Sequence, residues 1–116
     1  MAIVAFALPI MPGQADGVRS FAEELDQLGL RSRYQELNRR AGVRRHMEWI
    51  QPGPDGDLRL VVFETDTPQN LGRPFEDDEY DRWWVSRFKE LHGFDPAGPG
   101  PRPEPTFAWT EPDAEG

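Results

Sequence analysis

The chain contains no cysteine. Disulfides, thiolate metal sites and cysteine nucleophiles are therefore excluded, and a reducing, cytoplasmic setting is expected. Lysine is nearly missing too, with Lys89 the only one among 13 basic residues. No apolar run approaches the roughly 20 residues that span a bilayer, so no membrane partner is expected. The N-terminal MAIVAFALPIMPG has no basic leader and no small-residue cleavage pattern, and reads as a first strand rather than a signal peptide. A phosphate-cradling glycine loop, a GxSxG elbow, a dinucleotide fingerprint and Cys/His metal spacing are all missing. ATP-, NAD- and thiol-dependent chemistry are not expected, and no cofactor is.

What is present fits one domain of 116 residues, long enough to bury a core without staples. The formal net charge of -8 disfavours nucleic acid, whose phosphates repel an acidic surface, and disfavours anionic membranes. Charge is unevenly placed. Six arginines fall between Arg31 and Arg45 against the single acid Glu36, while acids dominate Glu76 to Asp81.

The apolar run Ala2 to Ile10 suits a buried strand. Gln14 to Leu28 carries a helical stripe of Val18, Phe21, Leu25 and Leu28, closed by Gly29. A second short helix begins at Ser32, where Ser32 and Gln35 have capping-box spacing, and ends at Gly42. Two strands follow, VRRHMEWIQ and DLRLVVFET, joined by the turn PGPDG. Thr67-Pro68 opens one short turn that stops at Gly72. Glu76 to His92 is the strongest helix, with an acidic first turn and a stripe of Tyr80, Trp84, Phe88 and Leu91, capped by Gly93. Asp95 to Pro105 reads as an extended linker, Thr106 to Thr110 (TFAWT) as a last strand, and 111–116 as a flexible tail.

This order predicts an α+β, ferredoxin-like βαββαβ domain over residues 1–110. Its four-stranded antiparallel sheet has helices on one face. The bare face needs a cover, and a second copy of the same sheet is the simplest, giving a face-to-face homodimer.

The hairpin carries the chemistry. Side chains alternate along a strand, so Arg44, His46 and Glu48 share one face and Arg45, Met47 and Trp49 the other. A turn centred on Pro54 sets Arg44 opposite Glu64, His46 opposite Val62 and Trp49 opposite Arg59. Arg44, His46, Glu48, Val62 and Glu64 then share the face the helices leave bare, and Trp49 packs under the helices. A one-residue slip moves Glu64 to the other face from Glu48. If the helices cover the His46 face instead, Trp49, Met47 and Phe63 point to the dimer.

On GVRRHMEWIQ followed by DLRLVVFETD, on the aromatic helix YDRWWVSRFKELHGFD, and on the element order, residues 2 to 110 resemble the dimeric α+β barrel superfamily. Members include cofactor-free antibiotic-biosynthesis monooxygenases, polyketide cyclases and lactone isomerases. The resemblance implies a ligand cavity between sheet and helices or within the barrel. It carries over no catalytic motif.

His46 and Glu48 stand about 7 Å apart along the strand. Imidazole titrates near neutrality and serves as general acid or base, while Glu48 or Glu64 orients it or acts in its place. Arg44 would stabilise a developing enolate or phenolate. The competing reading is a hydrated strand face or an inter-subunit salt-bridge network. Trp83, Tyr80, Phe6 and Val62 are the candidate walls of a substrate pocket, although aromatic helix stripes are more often core. His92 ends a helix, where a capping role suits it. His46, Glu48, Glu64 and His92 also have metal-ligand donors, without metal-site spacing. The leading functional reading is a cofactor-independent enzyme performing cyclisation, isomerisation or elimination on a small aromatic or polyketide-like substrate. A cofactor-free monooxygenase and a non-catalytic ligand-binding dimer are the alternatives.

Overall fold

A computed structural model describes residues 2–68, 78–96 and 104–112. The elements run β1 (Ala2–Pro9), α1 (Ala15–Gln27), α2 (Arg31–Arg40), β2 (Val43–Gln51), β3 (Leu58–Thr65) and α3 (Glu79–His92). The three strands form one antiparallel sheet in the order β1-β3-β2. This is α+β architecture compatible with a ferredoxin-like fold.

The helices form where the apolar spacing predicts. Val18, Phe21 and Leu25 of α1 are buried, one face of a 3.6-residue period. They join Ile10, Leu30, Tyr80 and Leu91 in the core. The α3 start is set by Asp78, whose carboxylate accepts from the Asp81 N–H at 2.9 Å. Gly93 ends α3 at φ 77°, and its N–H donates to the Lys89 carbonyl at 2.8 Å. The expected beginning of this helix at Glu76, the turn after Pro68 and most of the proline-rich linker lie outside the described residues.

Two local expectations fail. The α2 helix begins at Arg31, with Leu30 at its cap and no side-chain capping bond, so Ser32 and Gln35 form no capping box. Burial of Leu30 in the core fixes the chain there and sets the start one residue earlier. Thr106 to Thr110 carries no strand. Phe107 and Trp109 in it are 86% and 68% exposed. Among the described residues, β1 pairs only with β3 and keeps a free edge. No described helix is long and apolar enough to cross a membrane.

Candidate functional site

The position of every candidate follows from the β2–β3 register. Arg45 pairs with Glu64, His46 with Phe63, Glu48 with Val61 and Ile50 with Arg59. This is one residue away from the expected register, and the loop sets it. The last pair is Gln51 with Leu58, so the loop 52–57 is centred beyond Pro54, with Gly56 at φ 131°. At the other end a bulge between Val43 and Arg45 leaves Arg44 out of the ladder and returns Val43 to the expected alignment, opposite Thr65. Because side chains alternate with period two, the slip exchanges the faces of β3 relative to β2.

His46, Glu48 and Ile50 therefore share a face with Arg59, Val61, Phe63 and Thr65, and the helices cover that face. Arg59, Val61 and Thr65 on it are buried. The bare face carries Arg45, Met47 and Trp49 with Leu60, Val62 and Glu64, and on β1 Ile3, Ala5 and Ala7. Ile3 is 70% and Trp49 52% exposed. The expectation that His46 and Glu48 lie on the uncovered face, with Trp49 beneath the helices, is thus reversed.

On the covered face a line of polar groups runs across the sheet. Tyr34 on α2 meets His46 Nδ1 at 2.5 Å. His46 Nε2 meets Glu48 Oε1 at 3.0 Å. The same oxygen accepts from Arg59 Nη2 at 2.5 Å. Arg59 Nη1 lies 3.2 Å from His92 Nε2, and His92 Nδ1 donates to the Pro9 carbonyl at 2.7 Å. Proton positions follow from these partners. A carboxylate accepts only, so His46 carries its proton on Nε2, and Nδ1 accepts from the Tyr34 hydroxyl. A carbonyl accepts only, so His92 carries its proton on Nδ1, and Nε2 accepts from Arg59.

Packing holds the line rigid. The His46 ring stacks on Phe63, with centroids 4.5 Å apart and planes 25° from parallel. Arg59 is only 5% exposed, and its guanidinium lies 5.0 Å from the Phe21 ring centre. Its Nε is buried with no hydrogen-bond partner among the described residues. His92 packs against Phe88, 4.6 Å between ring centres.

These surroundings shift the titrations. Burial pushes the Glu48 carboxyl up, but the hydrogen bond from His46 and the Arg59 charge outweigh it and hold it below its usual value. Burial pushes the Tyr34 phenol up, and a hydrogen bond from Asn38 only partly opposes that. Burial also pushes His92 down, which keeps it neutral beside the arginine.

The line opens on a cleft of about 280 Å3. Its apolar wall is Val18, Phe21, Ala22 and Leu25 of α1, and Tyr34, His46 and Glu48 supply its polar side. Arg19 and Arg31 complete the lining and are ion-paired with Asp16 and Asp26. The volume sits at the small end of the range for ligand pockets.

Of the expected catalytic set, only His46 and Glu48 come together. Glu64 is on the bare face, with Arg45 rather than Arg44 nearby at 3.9 Å. Arg44 is exposed and donates to Asp66 at 2.7 Å. The expected pocket walls also part company. Val62 faces the bare side, because it pairs across from Met47. Phe6 packs edge-on to Phe63, 6.4 Å between centres. Tyr80 is buried in the core, and Trp83 packs on Phe21 at 5.1 Å instead of lining the His46 cleft. His92 is buried and not an exposed cap. No three His, Asp or Glu side chains among the described residues converge as a metal cluster.

Three members of the line were not foreseen: Tyr34, Arg59 and His92. Arg59 had a sequence signal, a lone cation inside the apolar run LRLVVF. Tyr34 had none, since it shares the only apolar side of its helix with Leu37. No protein-family model, curated protein or solved structure matches the chain.

Proposed function

We propose that the chain is a cofactor-independent enzyme that moves a proton on a small, flat, largely apolar molecule, as in isomerisation, cyclisation or elimination. The observation that carries this reading is the contact of His46 Nε2 with Glu48 Oε1 beside an apolar cleft, with Arg59 on the same carboxylate oxygen. A neutral imidazole held in one tautomer by a carboxylate is a general base whose protonated form that carboxylate then stabilises. Arg59 keeps Glu48 ionised and fixes its position. The apolar wall from α1 lowers the dielectric on one side of the pair and strengthens these interactions.

The domain is completed, in this reading, as a ferredoxin-like homodimer. Two bare sheet faces cover one another, and the free edge of β1 is open to one further strand. Two features support it. β1 has one unpaired edge among the described residues. The uncovered face carries exposed Ile3, Trp49 and Leu58.

The experiment is proton exchange. A panel of enolisable ketones and phenols is incubated with the protein in deuterated buffer, and loss of carbon-bound hydrogen is followed by NMR. At least one member should exchange faster than in buffer, and His46→Ala or Glu48→Gln should slow it by about 100-fold or more. Exchange that survives both substitutions removes the proposal.

A further inference from the structure

We propose that Tyr34 is the residue that meets the substrate, taking a proton from a weakly acidic hydroxyl while passing its own to His46. This rests on the His46–Glu48 reading above and assigns the group that stands between that pair and the ligand.

Both His46 nitrogens are engaged, Nδ1 with Tyr34 at 2.5 Å and Nε2 with Glu48 at 3.0 Å. One ring face is covered by Phe63. His46 therefore has no nitrogen to offer a molecule in the cleft. Glu48 is a poor alternative base, because His46 and Arg59 hold its carboxyl below its usual value. Arg19 and Arg31 also line the cleft but are ion-paired cations and no base, which leaves Tyr34. Its hydrogen points to His46, so toward the cleft its oxygen is an acceptor.

An acceptor oxygen selects a donor ligand. A phenolic or enolic hydroxyl can hydrogen-bond to Tyr34, so an enolisable ketone is taken as its enol, and the enolate formed from it exchanges its carbon-bound hydrogen. In the transfer, the ligand O–H breaks and a new O–H forms on Tyr34. The former Tyr34 proton moves to His46 Nδ1. The products are a ligand oxyanion, a neutral Tyr34 and an imidazolium paired with the Glu48 carboxylate. Tyr34 is never left as a phenolate, which agrees with its upward shift. The new cation forms beside a carboxylate that is already ionised and held in place by Arg59.

The probe is 4-nitrophenol, whose anion is coloured. Binding is located by amide shifts at Phe21, Ala22 and Leu25, and ionisation is read from absorbance across a pH series. Bound probe should ionise about one pH unit or more below free probe, a factor of ten in its ionisation constant. Tyr34→Phe keeps the ring and its packing. It should still bind the probe, as the amide shifts report, but lose the displacement, and His46→Ala should lose it too. If Tyr34→Phe keeps the displacement and His46→Ala loses it, Tyr34 is not the carrier, while the His46 reading stands. If His46→Ala and Glu48→Gln both keep it, the underlying reading fails. If the probe leaves the amides of the cleft unmoved, the hydroxyl class is wrong.

Discussion

The two faces of the sheet both mix polar and apolar groups, but differently. The face under the helices sets Arg59, Glu48 and His46 among Val4, Phe6, Leu8, Ile50, Val61 and Phe63, whereas the bare face holds Ile3, Ala5, Ala7, Trp49 and Val62 beside Arg45 and Glu64. A fold governed by burial alone would keep the three titratable groups out from under the helices. Charges are tolerated under the helices because each meets a partner: Arg59 bonds to Glu48 and to His92, and Glu48 to His46 as well. Such a network stabilises little relative to a packed apolar core, yet it is costly to break at one point. The proposed proton chemistry gives that network a use. The bare face exposes Ile3 and Trp49, which suits the proposed contact with a second copy.

The sharpest way to break the comparison is to remove the cation at its centre. Arg59→Met should cost about 3 kcal/mol, because Glu48 loses the cation among its two partners and His92 its donor. Glu48→Leu added to Arg59→Met should recover most of that loss. Urea unfolding of the single and double variants checks both statements, and equal stability of the two would mean the groups are not coupled.

Acid should act on the covered face next. The folded chain holds His92 below its ordinary value, so the unfolded chain binds that proton more readily. Stability is then complete above the unfolded value of about 6.5 and falls as pH drops below it. Glu48 is also depressed, so its contribution is present above about 4.3 and is lost on further acidification. Unfolding curves across this range should show both steps, and His92→Gln should remove the first alone.

The smallest effect belongs to the bare face. Ile3→Ser or Trp49→Ser should change the stability of the dilute chain by no more than about 0.5 kcal/mol. Either should nonetheless weaken self-association in sedimentation. A large loss of stability with unchanged mass would mean that this face is packed within the chain.

Much of this was legible in the sequence. The stripe Val18, Phe21, Leu25 marks α1, and Gly93 marks the end of α3, whereas its cap at Asp78 was not read. The α+β order follows from these and from the alternating hairpin. The register was not legible, because β3 is apolar on both faces: Leu60 and Val62 point one way, Val61 and Phe63 the other. Neither pattern rejects a one-residue slip, and the loop 52–57 decides it. With the register went the site. His46 and Glu48 share a face in either alignment, so they were found. Glu64 and Val62 changed sides with the slip, and Arg59 took their place. Tyr34 and His92 reach the site from helices at sequence separations of 12 and 33 residues from their partners, which no local pattern encodes.

The meeting of Arg59 with His46 and Glu48 on the covered face stands or falls with that register. Interstrand nuclear Overhauser contacts across β2 and β3 measure it directly. The account predicts cross-peaks pairing Met47 with Val62 and Trp49 with Leu60. Cross-peaks pairing His46 with Val62 and Trp49 with Arg59 would contradict it.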